Sequence, residues 1–403
     1  MKLLVENSSS FQNCIDQSWG PEKSVVCRYR HAVRFCDPAE QDRTLKQALL
    51  DTSIHEGARV VPLLNYKGVE VHILDETSGM ATGTLKSIDG CLTTAFCRQE
   101  GARRVVFESG GNTGSALTRY GRKADLETFF FCPLDNLDLL DSALFASPNA
   151  HLVGVEDRGR VKDFARLFAE TTGIRHIPEK SWRYAAAMFR GFFILEQLLS
   201  LRKYDWLAQA VSAGFGPIGI FNVLQEFQQE LPGLPRFLGV QQEANCPMFQ
   251  AWKPGVAKQR GKSEQKKENL LTRMMYDDNP QTYKTYEDLQ QLLLLTRGDL
   301  LTINQEEFDS CVYSSKKYGQ ILEMLLSQGI AISLRSGQVL EKTGMIALAG
   351  TLKAIDAGLI RAGSSALCCL TSGVSDADGR VQPEYTVRTA QDVLHYAEMN
   401  AGK

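Results

Sequence analysis

From about residue 56 onward, short apolar runs typical of strands alternate with segments that have the periodicity of helices. The strand-like runs cover residues 69–74, 104–107, 128–132 and 151–155. Helical features follow at 115–121, near 143 and at 160–171, where apolar residues recur at the i, i+3, i+4 spacing of an amphipathic helix. Strand-then-helix alternation favours parallel sheets covered by helices, so the sequence predicts an α/β fold.

The chain has 403 residues and a formal net charge of −2, with acids and bases interspersed. This length suggests two or three domain-sized units. Nothing in the charge distribution indicates a nucleic-acid partner. No apolar stretch approaches the roughly 20 residues that span a bilayer, and the N-terminus lacks the apolar region of a signal peptide. We therefore expect a cytoplasmic protein with no membrane partner.

Ten cysteines are dispersed along the chain, with only Cys368 and Cys369 adjacent. The sequence contains no C-x-x-C pair and no H-E-x-x-H motif, so no metal site is expected. Several cysteines lie in apolar runs, which is typical of buried thiols in a reducing compartment.

Two segments stand outside the alternation. The first 55 or so residues have no clean periodicity, and we interpret them as an extension packed on the main body. Residues 253–269 are the most polar stretch of the chain and predict an exposed loop, although a basic loop also suits an anionic partner.

The chemistry-bearing candidate is Lys86, which follows the apolar run 69–74 and a turn rich in glycine and threonine. Its small neighbours, Gly83, Thr84 and Ser87, leave room for a bulky group. A buried lysine loses its proton more easily, which suits covalent chemistry at the amine. The ordinary alternative is an exposed lysine at the start of a helix.

Three further segments contain turn or hydroxyl residues at the ends of strand-like runs. Residues 108–117 read Glu-Ser-Gly-Gly-Asn-Thr-Gly-Ser-Ala-Leu, and 213–219 read Ala-Gly-Phe-Gly-Pro-Ile-Gly. A glycine-rich turn that opens a helix suits a phosphate, although alone such a turn is more often structural. Residues 365–373 form a short apolar run that ends in Thr371 and Ser372, or simply a strand that ends in a turn.

Together these segments resemble the fold-type II pyridoxal phosphate (PLP) enzymes of the tryptophan synthase β superfamily over roughly residues 58–378, and threonine synthase most closely. The family's order is kept: a lysine after a strand and a small-residue turn, an asparagine loop, a phosphate turn and a hydroxyl near the C-terminus. Between them, 239–243 reads Gly-Val-Gln-Gln-Glu, and 340–353 resembles the family's late glutamate segment and its helix.

The resemblance implies roles for these residues. Lys86 binds PLP as a Schiff base and moves the substrate's protons, and Asn112 bonds the cofactor's 3′-oxygen. The substrate carboxylate is implied to bind Ser109, Gly111 and Thr113. The other cofactor contacts are implied for Gly214, Phe215, Gly216, Ile218, Gly219 and, at the pyridine nitrogen, either Thr371 or Ser372.

The departures from the family's pattern concern the substrate. Ser87 and Ile88 follow the lysine where threonine synthases usually have Asp-Arg, and Gly110 stands where a serine is common. These differences, with others at 181–190 and 342–345, indicate a divergent member with another small amino-acid substrate, phosphorylated or otherwise anionic. The candidates for binding an anionic tail are Arg119, Arg183, Arg190 and Lys342, although residues of this kind are more often surface residues.

The implied activity is PLP-dependent β- or γ-elimination or replacement, through an aminoacrylate- or vinylglycine-type intermediate. A ring nitrogen that meets a hydroxyl favours this chemistry over transamination. One alternative is a dehydratase or ammonia-lyase that releases a keto acid. The other is a catalytically degenerate binding subunit, against which the retained lysine, asparagine and phosphate turn argue.

The resemblance also implies two open, twisted and mostly parallel sheets with flanking helices, and PLP in the cleft between two domains. We expect an N-terminal extension at 1–55, a large PLP-binding domain built from 56–86 plus 171–403, and a small domain at 87–170 with the asparagine loop. A homodimer is expected.

Overall fold

The computed structural model describes residues 2–3, 7–177, 180–200, 202–255, 269–276, 285–379 and 381–400. In chain order its strands are β1 Lys2–Leu3, β2 Val33–Arg34, β3 Arg59–Tyr66, β4 Val69–Asp75, β5 Arg104–Glu108, β6 Glu127–Pro133, β7 Ala150–Val155, β8 Arg175–His176, β9 Trp206–Ala210, β10 Arg236–Gln242, β11 Asp299–Ile303, β12 Leu334–Arg335, β13 Gln338–Val339, β14 Ser365–Leu370 and β15 Tyr385–Val387.

The helices cover the sheets and join the strands. They are α1 Ser8–Cys14, α2 Val25–Tyr29, α3 Ala39–Thr52, α4 Lys86–Gln99, α5 Asn112–Lys123, α6 Val161–Thr172, α7 Lys180–Leu199, α8 Phe215–Glu226, α9 Pro247–Trp252, α10 Tyr286–Thr296, α11 Gln305–Val312, α12 Ser315–Tyr318, α13 Ile321–Ser327, α14 Thr343–Asp356 and α15 Ala390–Asn400. Near residue 143, where a helix was expected, the chain forms only the 3-10 turn Ser142–Phe145.

The larger sheet has the strand order β11-β10-β9-β14-β4-β3 in the described part of the chain. Its neighbours run parallel except β3, which pairs antiparallel with β4. Strand β14 lies at the centre and all its residues are buried, as its continuous apolar run requires for a strand covered on both faces. Because β4, β14 and β9 are parallel neighbours, their carboxyl ends meet at one edge of the sheet.

The smaller sheet has the order β15-β7-β6-β5-β8, and its described pairs are all parallel. Two phenylalanines of β6 pack against α6: the rings of Phe129 and Phe131 lie 5.1 and 5.4 Å from that of Phe168. The predicted α/β fold with two mostly parallel sheets is therefore confirmed.

The division into domains by sequence places 171–403 in the larger domain, but two short strands of that range belong to the smaller sheet. Strand β8 pairs with β5, and β15 pairs with β7. Helix α15 follows β15 onto the same sheet, where the ring of Tyr396 stacks 5.2 Å from that of Phe168. Edge strands of two or three residues are too short to show a periodic pattern. The other boundaries stay predictions.

Close approach of α7 and α8 positions the loop before α8. A Cβ on Gly191 would lie 2.9 Å from the Ile220 carbonyl oxygen, and a Cβ on Gly219 would overlap Ala187. Only glycine fits at these two points, and it lets the two helix backbones approach each other.

The N-terminal helices α1 to α3 pack on α7 and α4. The Phe11 ring lies 5.8 Å from that of Phe192, and the Arg28 guanidinium donates to the Glu196 carboxylate at 2.5 Å. Within the described ranges, no helix is both long and apolar enough to cross a membrane. The stretch expected to form an exposed polar loop lies mostly at 256–268, outside the described residues.

Candidate active site

Four loops meet in one cavity at the carboxyl edge of the larger sheet. Three of them follow β4, β9 and β14, and the fourth follows β5 of the smaller sheet. The cavity contains about 850 Å³ of empty space including its open mouth. Most residues proposed from sequence line it: Lys86, Ser109, Gly111, Asn112, Thr113, Gly214, Phe215, Gly216, Thr371 and Ser372.

Lys86 is half-buried and is the first residue of α4. Its backbone N–H donates to the Thr84 hydroxyl at 3.2 Å, and the Leu85 N–H donates to the Thr371 carbonyl at 2.8 Å. The lysine turn is thereby bonded to the hydroxyl segment after β14. The Lys86 Nζ donates to the Asp89 carboxylate at 2.9 Å. This ion pair was not expected from the sequence, which was interpreted only in terms of a buried lysine that loses its proton easily.

The asparagine loop is held at both ends. Gly111 has φ +151°, which favours glycine, and its N–H donates to Ser109 Oγ at 3.1 Å. Helix α5 begins at Asn112, so its N-terminal N–H groups suit a carboxylate. The Asn112 side-chain amide donates to the carboxylate of Glu341 at 3.0 Å.

The glycine turn before α8 opens directly into the helix, as was expected of a phosphate-binding turn. Gly214 is left-handed with φ +82°, and α8 starts at Phe215. A Cβ on Gly216 would lie 2.5 Å from Gln209 Nε2 and 2.7 Å from Arg190 Nη1, so a larger residue would have to displace the ends of these two side chains. Two residues proposed for this site do not line the cavity: Ile218 is buried in the apolar core, and Gly219 faces α7.

An ion pair lies beneath this turn. Arg190 Nε and Nη2 donate to the Glu76 carboxylate at 2.5 and 2.6 Å, and both side chains are 1% exposed. Burial lowers the pKa of the Arg190 guanidinium, but the Glu76 carboxylate outweighs this effect and raises it. Arg190 is therefore an internal cation and not a surface residue, and it does not line the cavity.

Both candidate hydroxyls for the pyridine nitrogen lie in the cavity. Thr371 is 4% exposed and Ser372 is 2% exposed. Ser372 Oγ is buried with no hydrogen-bond partner among the described residues, which leaves it available to a ligand atom. The choice between the two hydroxyls stays open.

Several lining residues were not assigned from sequence. Gln209 at the end of β9, Thr343 at the start of α14 and Met274 beside Gly111 all face the cavity. Arg183 of α7, one of four candidates for an anionic tail, also lines it, with its guanidinium 5.5 Å from the centre of the Phe215 ring. Glu341, which bonds Asn112, could have been found from its place in the late glutamate segment, whereas Gln209, Thr343 and Met274 carry no signal in the sequence.

Other chemistries find no support in the described residues. They contain no cluster of His, Cys, Asp and Glu that suits a metal ion. Two cysteines of β14 are fully buried, and burial raises the pKa of the Cys368 thiol to about 12 and that of Cys369 well above its usual value. These thiols are structural core residues.

The residues of the cavity fit PLP. The glycine turn forms a cradle that a Cβ would fill, and Lys86, Asn112 and two hydroxyls face the same space. Three buried polar atoms of its lining residues have no partner in the described part of the chain: Gln209 Oε1, Thr343 Oγ1 and Ser372 Oγ. Buried polar atoms are seldom left unbonded, so their concentration here indicates a polar ligand.

Comparison with known proteins agrees with this geometry. Residues 52–307 match the family model described as pyridoxal-phosphate dependent enzyme. The chain is similar to cysteate synthase of Methanosarcina acetivorans, with 21% identity over 92% of this chain and 88% of the relative.

Two solved structures have a similar fold. Threonine synthase from Escherichia coli superposes with a TM-score of 0.63 and 11% identity, over 94% of this chain and 89% of the other. Diaminopropionate ammonia lyase from Escherichia coli superposes with a TM-score of 0.59 and 12% identity, over 90% of this chain and 94% of the other. Because the family model covers more than half of the chain, this protein belongs to the pyridoxal-phosphate dependent enzymes and is a PLP-dependent lyase or synthase of fold type II.

Proposed function

We propose that this enzyme catalyses replacement at the β- or γ-carbon of a small amino acid. The observation that carries the proposal is the meeting of Lys86, the asparagine loop, the glycine turn and the C-terminal hydroxyls in one cavity. Similarity to cysteate synthase over most of both chains favours replacement over simple elimination. When bound, PLP supplies an electron sink for the carbanion that forms at the substrate's α-carbon.

The residues of the chain divide the remaining work. Lys86 Nζ bonds the cofactor, and once released its amine removes the α-proton. Ser109 and Thr113, with the N-terminus of α5, bind the substrate carboxylate. Asn112, oriented by Glu341, bonds the cofactor's 3′-oxygen, and Thr371 or Ser372 meets its ring nitrogen.

The charges of the cavity indicate an anionic substrate tail. Among the described lining residues, the charged side chains are Lys86 and Arg183, and neither Asp nor Glu lines the space. A guanidinium suits phosphate, sulfonate or carboxylate groups because its N–H donors match their oxygens. We therefore propose that Arg183 binds either the anionic tail of the substrate or an incoming anionic nucleophile. Cysteate, which gives the relative from Methanosarcina acetivorans its name, carries such an anionic group.

The test is a reaction screen with purified PLP-loaded protein. Serine, O-acetylserine, O-phosphoserine and O-phosphohomoserine are each supplied with sulfite, with sulfide or with neither, and products are identified by mass spectrometry. We expect a new amino acid in which sulfite, sulfide or water has replaced the leaving group, and no product from Lys86→Ala. A keto acid formed equally well without any nucleophile would replace the synthase assignment by a lyase.

A control variant addresses the anionic tail. Arg183→Lys keeps the positive charge but loses the planar pair of donors. We expect Arg183→Met to raise KM for anionic substrates by about 10- to 100-fold, because one or two charge-assisted hydrogen bonds are lost. The KM of Arg183→Lys should lie between those of Arg183→Met and the native enzyme. An equal KM in all three proteins would remove Arg183 from the proposal.

A further inference from the structure

Asp89 contacts the amine of Lys86 from one turn further along the same helix. Its Oδ2 accepts from Lys86 Nζ at 2.9 Å, and the Asp89 side chain is 8% exposed against 27% for Lys86. Residues i and i+3 of a helix lie on one face, so α4 itself fixes this pair. Asp89 is not among the residues that line the cavity and lies behind the lysine.

Few other charges face Asp89 from the elements packed on α4. Helix α7 contributes Arg190, which interacts electrostatically with Asp89 but is bonded in two places to Glu76. The titratable Tyr120 of α5 bonds Glu56. On α3, Lys46 bonds Asp42 at 2.8 Å, and Asp42 also accepts from the Phe35 N–H at 2.7 Å. Lys86 is thus the cation that Asp89 bonds directly.

A purely structural role accounts for only part of this arrangement. A carboxylate in the first turn is favoured by the helix dipole, and an exposed one would suffice for that purpose. Burying a carboxylate is unfavourable unless a cation or hydrogen-bond donors compensate it. Here the compensating cation is the Lys86 amine. In the proposed reaction this amine alternates between a bond to the cofactor and a free state.

We propose that Asp89 is a positioning residue for Lys86, which binds the lysine amine whenever Nζ is not bonded to the cofactor. This inference rests on the proposed role of Lys86. In the reaction, the free amine takes the α-proton of the substrate and becomes an ammonium group. Asp89 bonds that ammonium group through its carboxylate, as in the 2.9 Å contact described above. The proton later returns to a substrate carbon or leaves with the departing group, so protons and charge balance.

If this proposal is correct, replacing Asp89 in the full-length protein changes two measured rates in opposite directions. PLP is removed and added back over a pH series, and the rise of visible absorption reports the covalent bond to Lys86. At neutral pH we expect Asp89→Asn to attach PLP about tenfold faster than native, because the amine is no longer bound as an ammonium ion. Exchange of the α-hydrogen of a bound amino acid with deuterated water, followed by NMR, should slow by about tenfold, because the proton acceptor is weakened.

The controls separate this role from a loss of structure. Asp42→Asn removes the carboxylate of the buried lysine–aspartate pair on α3, and it should change neither rate. Asp89→Glu should restore both rates towards native. Asp89→Ser repeats the test if the asparagine variant does not fold. Identical pH profiles of attachment in the native protein and a folded Asp89 variant would overturn the proposal. A native protein that attaches no PLP to Lys86 would instead reject the proposed function.

Discussion

Gly216 lacks a side chain at the tightest point of the cavity floor. A methyl group there would press on Gln209 Nε2 and Arg190 Nη1, at 2.5 and 2.7 Å. Overpacking of this kind costs about 1–3 kcal/mol, and here it falls on the turn that is proposed to bind the phosphate. The position therefore tests the turn without removing any hydrogen-bonding group.

We expect Gly216→Ala to weaken PLP binding about 5- to 150-fold, because a free-energy cost of about 1–3 kcal/mol corresponds to that change in affinity. Fluorescence titration measures the affinity. Gly159→Ala is the matched control, since Gly159 is exposed and its Cβ would meet only Asp157 Oδ1, at 3.3 Å. Equal affinity of the Gly216 variant and the native protein would show that the phosphate binds elsewhere.

Glu341 orients the asparagine loop through one hydrogen bond and is 3% exposed. Removing its carboxylate in Glu341→Ala leaves Asn112 without this acceptor, a loss of about 1.5–3 kcal/mol for a bond to a charged group. Glu341→Gln keeps an acceptor oxygen. We therefore expect PLP affinity to fall in the order native, Gln, Ala, as measured by equilibrium titration. If the alanine variant binds as tightly as the glutamine variant, Glu341 does not act through Asn112.

At the scale of elements, the Arg190–Glu76 pair joins α7 to the end of β4. Losing one partner leaves a buried charge uncompensated, so we expect Arg190→Met to lower the free energy of unfolding by about 3–5 kcal/mol. The double variant Arg190→Met, Glu76→Gln should lose less than the sum of the two single changes, because it buries no lone charge. Urea unfolding measures all three variants. Strict additivity would mean that the two side chains do not interact.

The loops after α1 and α2 are joined by Asp16 and Arg30, whose charged atoms lie 2.6 Å apart. Burial raises the pKa of Asp16, but hydrogen bonds from Ser18 and the charge of Arg30 outweigh it and lower the pKa to about 2. Because the folded pKa lies below the unfolded value of about 3.9, this contribution is complete above about pH 4 and is lost as the pH falls towards 2.

We therefore expect Asp16→Asn to melt at a lower temperature than native protein at neutral pH. The difference should shrink between about pH 4 and pH 2 and vanish below, where the carboxyl is protonated in both states. Melting curves at several pH values measure this. A difference that persists unchanged below pH 2 would show that the loss at neutral pH does not come from the charge of Asp16.

Elements with a strong local pattern were predictable. The amphipathic spacing at 160–171 corresponds to α6, Val161–Thr172, and the apolar run at 128–132 corresponds to β6, Glu127–Pro133. The short edge strands β8 and β15 were not, because two or three residues fix neither a period nor a partner. The expected helix near residue 143 is a 3-10 turn, since only Ser142–Phe145 follow a helical path there.

At the scale of the whole molecule, the order of motifs along the chain was enough to anticipate the site. Parallel strands bring their carboxyl ends to one edge, so loops more than a hundred residues apart, such as those of Lys86 and Gly214, meet in space. Lining residues from other elements, such as Gln209 and Thr343, depend on how those elements pack and have no signature of their own. The homodimer expected from the resemblance stays a prediction, which light scattering of the purified protein measures.

The most direct test of the account is the site of covalent attachment of PLP. Purified protein is loaded with PLP, reduced with borohydride to fix the bond, digested and mapped by mass spectrometry. We expect one labelled peptide, with the cofactor on Lys86, and no label in Lys86→Ala. A label on any other lysine of the native protein, or an equal label in the Lys86→Ala variant, would contradict it.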